Sequence, residues 1–190
     1  HLFDIPTTGL RFFTVYGTHG RPDMAYFKFT ESIIKGRPIE LYNHGKMKRD
    51  FTYIDDIVKA ITIIVNNKPK QKTSKITKSD AIFKVYNIGN NKPVTLKRFI
   101  AAIEKSSGKK AIAEYLPMQP GDVPITFADI KELQDDFNFS PSTSIEDGIY
   151  IFVKWYISNK SLFLYFKLII LTIMAILLPK KDMKVFFKGL

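Results

Sequence analysis

The sequence predicts an α/β fold with a parallel or mixed sheet, and three observations predict it. Short apolar runs rich in β-branched and aromatic residues recur, at Thr8 to Val15 and at Phe83 to Ile88. Stretches with apolar residues at helical spacing lie between and after them. Glycines, prolines and asparagines at turn positions separate the two kinds of segment. Strands alternating with helices are the pattern of layered α/β domains.

The elements follow in chain order. Thr8 to Val15 is mostly apolar and suits a central strand. Asp23 is expected to cap a helix carrying Tyr26, Phe29, Ile33 and Ile34 on one face, with Gly36 and Pro38 ending it. Ile39 to Tyr42 alternates like a short strand, and Asn43-His44-Gly45 is a turn signal. Thr52 to Ile54 reads as a second brief extended piece. A helix is expected from Asp55 or Asp56, since acids favour the positive end of a helix dipole. Its buried face is expected to hold Ile57, Val58, Ile61, Ile64 and Val65.

Residues 66 to 80 are polar and aperiodic, a surface loop before the strand Phe83 to Ile88. Thr95 is expected to cap a helix with Leu96, Phe99, Ile100 and Ile103 on one stripe and Gly108 just beyond it. Ala111 to Leu116 reads as an edge strand. Ser144 and Asp147 form a variant capping box before a helix that aligns Ile145, Ile149, Phe152, Val153 and Tyr156.

Composition narrows the chemistry. The 190 residues are 45% hydrophobic and 25% charged, ordinary for a globular domain. Cysteine is absent, which removes disulfides, thiolate metal sites and a thiol nucleophile. The cytoplasm fits this. The three histidines are scattered, so neither a metal cluster nor a histidine-based triad is expected. The net charge is +11, and six Lys against one Asp after residue 156 place +5 of it in the last 34 residues. A solvated Lys- and Asn-rich surface explains this best, and no zinc spacing, aromatic RNA signature or arginine-rich helix points to nucleic acid.

Residues 1–156 and 157–190 differ in character. Leu162 to Leu178 is apolar apart from Lys167, Thr172 and the Tyr165 hydroxyl, at the short limit for crossing a bilayer. Basic residues flank it on both sides, so orientation is not readable. A membrane helix over 162–178, an interfacial or core-packing helix, and an artefact after Tyr156 stay open as readings.

The wording of three stretches carries a family resemblance. Thr8-Gly9-Leu10-Arg11-Phe12-Phe13-Thr14-Val15-Tyr16-Gly17, followed by Gly20-Arg21-Pro22-Asp23-Met24, is the first. Arg49-Asp50-Phe51-Thr52-Tyr53-Ile54-Asp55 is the second, and Pro120-Gly121-Asp122 is the third. Over residues 1–156 the chain resembles the UDP-glucuronate 4-epimerases of the extended short-chain dehydrogenase/reductase family.

That resemblance implies the C-terminal part of a Rossmann-type fold: late sheet strands plus a small substrate-binding subdomain. It implies NAD as cofactor, UDP-glucuronate and UDP-galacturonate as ligands, and a homodimer as an arrangement common in the family. Phe13 would line the nicotinamide side, and Thr14 would hydrogen-bond the sugar. Arg21 would meet its carboxylate, Leu41 and Tyr42 would border uracil, and Arg49 would hold the diphosphate. Asp122 is equally a loop residue or a ribose contact, and Gln119 and Pro120 replace an arginine that relatives often carry there.

The implied reaction is oxidation at C4 and re-reduction from the other face. Its usual equipment is a glycine-rich turn opening a helix after the first strand, and a Tyr-x-x-x-Lys pair. Gly17-Thr18-His19-Gly20 lacks the third glycine, and Tyr42/Lys46 and Tyr156/Lys160 match by chance. No catalytic residue is therefore assigned within the chain, which is expected to be a fragment and inactive alone. Two other readings accompany this one: an NAD-dependent nucleotide-sugar decarboxylase or dehydratase, and a membrane-attached, non-catalytic binding module.

Overall fold

A computed structural model describes residues 5–67 and 83–159. The chain divides into compact units His1–Lys154 and Trp155–Leu190. Of the second unit, the described residues are 155–159, the end of the last helix. All the strands among the described residues lie in the first unit. The apolar stretch 162–178 lies outside the described residues, as do most of the expected loop 66–80 and Lys160. Among the described residues no helix is long and apolar enough to cross a membrane.

The first run of chain forms two strands in line, β1 (Thr7–Phe12) and β2 (Thr14–Tyr16), with Phe13 between them. A connection leads to α1 (Ala25–Lys35), then β3 (Pro38–Leu41), β4 (Lys48–Arg49), β5 (Phe51–Tyr53) and α2 (Ile54–Val65). After these come β6 (Phe83–Ile88), β7 (Val94–Thr95), α3 (Leu96–Ser107), β8 (Ile112–Tyr115), α4 (Lys131–Phe137) and α5 (Ile145–Ser158). Parallel ladders join β1 to β6, β2 to β5 and β3 to β8, and an antiparallel one joins β4 to β7. The expected parallel or mixed α/β architecture is present, in two-stranded ladders.

Neighbours on β2 point to opposite faces, and the core is divided between those faces. Val15 and Leu10 pack with Ile57, Ala60 and Ile64 of α2, Tyr86 and Ile88 of β6, and Leu133 of α4. Tyr16 points the other way, into an aromatic cluster. Its ring lies edge-on to Phe51 at 6.0 Å and Tyr53 at 5.5 Å, and Phe51 stacks on Phe99 of α3 at 4.6 Å. Phe152 of α5 meets Tyr26 of α1 at 4.9 Å. The strands are thus covered by α2 and α4 on one side and by helices α1, α3 and α5 on the other. Each fully buried side chain of this size contributes about 1.5–3 kcal/mol.

Several expectations hold in detail. Thr95 Oγ1 accepts from the Arg98 N–H at 3.2 Å, and Gly108 ends α3 in the left-handed conformation at φ 69°. Ser144 Oγ accepts from the Asp147 N–H at 3.1 Å and donates to the Asp147 carboxylate at 2.6 Å, so the capping box closes side chain to side chain. Ile145, Ile149, Phe152, Val153 and Tyr156 are all buried.

Others need correction. Asp23 does not cap α1: Met24 is the N-cap and supplies no side-chain bond, because the Asp23 carboxylate is held by Arg21. On α1 it is Tyr26, Phe27, Thr30 and Ile33 that are buried, one position round from the expected stripe. On α2, Ala60 takes the core position while Val58 is 52% exposed and Val65 77% exposed. A 3.6-residue period from Ile57 leads to Ala60, Ile61 and Ile64, and leaves the two valines at the margins.

Candidate functional site

The site is built where the parallel strands end. Phe12 and Ile88 are register partners, and the Phe13 N–H donates to the Ile88 carbonyl at 3.2 Å, so β1 and β6 finish level. Open α/β sheets bind their ligands at this edge. One step further, three segments converge on Gly89. A Cβ there would sit 2.3 Å from Ala128 Cβ, 2.9 Å from Asp50 Oδ2 and 3.5 Å from Phe13 Cβ. Only glycine fits so close an approach.

Asp50 joins these segments. Its carboxylate is fully buried and accepts from the Asn90 N–H at 3.0 Å, the Asn91 N–H at 3.0 Å and the Ala128 N–H at 2.8 Å. Thr14, in register with Phe51 of the adjoining strand, is half-buried, and its hydroxyl hydrogen-bonds to no described residue.

Arg49 precedes Asp50 and faces the other way along the extended chain. Its Nη1 donates to the carbonyls of Val123 at 2.6 Å, Lys48 at 3.0 Å and Pro124 at 3.4 Å. No described residue accepts from its Nε or Nη2, so part of the guanidinium fork stays available for an oxygen-rich ligand. Lys48 reinforces this geometry: its N–H donates to the Pro124 carbonyl at 2.9 Å, and its carbonyl accepts from the Thr126 N–H at 3.3 Å. The 123–126 segment therefore runs beside β4, with Ile125 bridged in parallel to Lys48.

Tyr42 and Asp122 belong to the same neighbourhood. The Leu116 N–H donates to the Leu41 carbonyl at 3.1 Å, and the His44 N–H to the Leu116 carbonyl at 3.0 Å. Tyr42 donates to Glu40 at 2.7 Å. That bond raises the Tyr42 phenol above its ordinary value, with burial and the Glu40 charge adding, and the Asp122 carboxylate contributing after them. Asp122 itself sits in a turn, its N–H donating to the Gln119 carbonyl at 3.2 Å. The Leu41 side chain is buried in the core, leaving only its backbone to meet a ligand.

Arg21 is placed differently. Its Nε donates to Asp23 at 3.0 Å and its Nη2 holds the same carboxylate, both groups lying in solvent. The pairing raises the Arg21 pKa and lowers that of Asp23, in each case through the hydrogen bond first. Among the described residues no hydrogen bond ties Arg21 to β4, and its charge is already matched.

The sequence reading passed over Asp50, Gly89 and Ala128, which hold the site together. A signal was available: Asp50 alternates with Arg49 immediately before the buried Phe51. Between Tyr42 and Lys46, Asn43 and His44 have φ of 50° and form a left-handed turn, so the two are not one α-helical turn apart. Helices α1, α2 and α3 begin at Met24, Tyr53 and Thr95, not at a glycine-rich turn. Among the described residues no group of acids and histidines could hold a metal ion.

An open groove of about 500 Å³ lies elsewhere, lined by Lys28, Glu31, Arg37, Glu40 and Glu114 among others. Its solvent-facing charges of both signs give it no resemblance to a substrate pocket.

Comparison with known proteins decides the family. Residues 1–89 match the NAD dependent epimerase/dehydratase family. The chain is 52% identical over 164 residues to Protein CapI of Staphylococcus aureus, covering 83% of this chain and 49% of that protein. It is 47% identical over 166 residues to the probable UDP-glucuronate 4-epimerase of Rhizobium meliloti, covering 84% and 49%. The chain belongs to the NAD dependent epimerase/dehydratase family. A solved relative is the UDP-glucuronic acid 4-epimerase from Bacillus cereus in complex with UDP-glucuronic acid and NAD. It superimposes with a TM-score of 0.70 at 33% identity, covering 82% of this chain and 46% of that one. The extended short-chain dehydrogenase/reductase fold expected from the sequence is thereby supported. The chain spans about half the length of the curated relatives it matches.

Proposed function

We propose that this chain is the substrate-binding, carboxyl-terminal portion of a UDP-glucuronate 4-epimerase. In the complete protein it would serve the interconversion of UDP-glucuronate and UDP-galacturonate with NAD. The observation that carries this reading is Arg49. It is half-buried, rigidly seated by three carbonyls on one nitrogen, and open on its remaining donors beside the sheet edge where α/β ligands bind. A guanidinium so placed suits a diphosphate, whose oxygens accept its planar fork. The similarity to relatives named as UDP-glucuronate 4-epimerases, at 42–47% identity, supports the same assignment.

Placement as the carboxyl-terminal portion is supported by the lack of a G-x-G-x-x-G turn in the 190 residues and by helices that do not begin at glycine turns. Thr14 supplies a free hydroxyl for the sugar, Phe13 an apolar wall at the strand end, and Asp122 with Tyr42 polar groups for the nucleoside. Arg21 enters this scheme only by leaving Asp23. No residue of the chain is assigned the acid–base step, so binding without turnover is its proposed capacity.

Calorimetric titration with UDP and uridine tests the reading. The chain is expected to bind UDP more tightly than uridine. Arg49→Gln is expected to remove about tenfold of UDP affinity, the size of a charged hydrogen bond of about 1.5 kcal/mol. Unchanged UDP binding by Arg49→Gln refutes the assignment. Epimerised product from the chain supplied with NAD and UDP-glucuronate refutes its inactivity.

A further inference from the structure

We propose that Asp50 is a positioning residue, which sets the Arg49 guanidinium on its anion by fastening the surrounding segments through their backbone amides. The proposal deepens the reading of Arg49 as a phosphate-binding residue and rests on it.

A fully buried carboxylate is costly unless its lone pairs are met. Here three N–H groups meet them, two from the turn after β6 and one from Ala128, and no described cation does so. Three charge-assisted bonds from two distant parts of the chain are more than local folding of a two-residue strand requires. Their effect is geometric. Neighbours on an extended chain point to opposite sides, so holding the Asp50 carboxylate inward holds the Arg49 side chain outward.

Two further contacts tighten this arrangement. Asn90 Nδ2 donates to the Phe51 carbonyl at 3.3 Å, so the turn that grips the carboxylate also grips the residue after it. The segment from Val123 to Ala128 is held at one end by Arg49 and at the other by Asp50. A single dipeptide thus spans the whole segment that follows Asp122. Full burial and three N–H donors hold the carboxylate in this one position. Asp50 is too enclosed to touch a ligand, so its influence passes through Arg49.

The test is a double-mutant cycle on binding, with UDP as probe and uridine as control. Asp50→Asn keeps the size but turns a donor toward an N–H. It is expected to weaken UDP binding about tenfold, as coupling within one hydrogen-bonded network allows, with uridine affinity unchanged. The double variant with Arg49→Gln is expected to bind UDP no more weakly than Arg49→Gln alone. Wild-type UDP affinity in Asp50→Asn, or additive losses in the cycle, overturns the proposal.

Hydrogen exchange on the unsubstituted chain gives a second readout that does not depend on Asp50→Asn folding. Coupling is reciprocal, so UDP must slow exchange of the Asn90, Asn91 and Ala128 amides. Uridine must not slow them, and Arg49→Gln must lose the effect. Absence of that protection also overturns it. A chain that fails to distinguish UDP from uridine removes the parent reading together with this one, whereas discrimination that survives Asp50→Asn removes this one alone.

Discussion

Replacing Gly148 with alanine should destabilise the chain by about 2 kcal/mol, although alanine is the better helix former. Gly148 is buried in the first turns of α5, where the Tyr16 phenol presses against the helix backbone. A Cβ at this position would lie 2.1 Å from Tyr16 Oη, 2.7 Å from Cζ and 2.8 Å from Cε2. The ring has nowhere to go. It is 1% exposed and fixed edge-on by Tyr26, Phe51 and Tyr53. Helix propensity favours the substitution by about 1 kcal/mol. Overpacking opposes it by about 1–3 kcal/mol, and displacing the hydroxyl from the Ser144 carbonyl removes about 1 kcal/mol more. Urea unfolding measures the outcome as a lowered midpoint at unchanged slope. Tyr16→Phe removes the atom at 2.1 Å but leaves the ring carbon at 2.7 Å, so in that background the penalty should shrink without vanishing. If Gly148→Ala raises the midpoint by the propensity gain alone, the close packing of Tyr16 on α5 is wrong.

Two further predictions concern stability, beside those for Arg49 and Asp50. Thr95→Ala should cost about 1 kcal/mol by losing the bond to the Arg98 N–H, and Thr95→Ser should recover most of it; thermal unfolding of the three proteins compares them. Burial, together with the 2.6 Å bond to Asp136, raises the Tyr86 phenol far above its ordinary value of 10.0, and burial does the same to Tyr16. The folded chain then keeps protons that the unfolded chain releases. Stability from these groups is complete below about pH 10 and falls as pH rises further. Urea midpoints measured upward from about pH 9 should show the decline, and Tyr86→Phe should flatten it.

What the sequence discloses follows from which interactions are local. The Thr95 cap, the Gly108 stop and the Ser144–Asp147 pair each involve residues within a few positions of one another, and composition betrays them. The α5 stripe is legible because five large apolar residues recur at one period. Asp23 misleads because a nearby arginine outcompetes the helix for its carboxylate, and no helix-start rule weighs that rivalry. The β4 to β7 ladder escapes notice because two-residue strands leave no period to detect. Arg49 is nameable from its motif, but its orientation depends on Val123, 74 residues away. The role of Asp50 depends on Asn90 and Ala128, whose backbone amides carry no trace in the side-chain code. Long-range backbone partners are the part that a linear reading misses.

The two strands on either side of Phe13 run as one line that changes neighbours, lying beside one partner for six residues and another for the last three. Adding or deleting a single residue between the two pairings would shift one ladder against the other, turning Val15 and Tyr16 toward each other's surroundings. The distance from the line's beginning to its tip is therefore a fixed quantity. Homologues of this stretch should tolerate exchanges of side chain far better than any alteration of length.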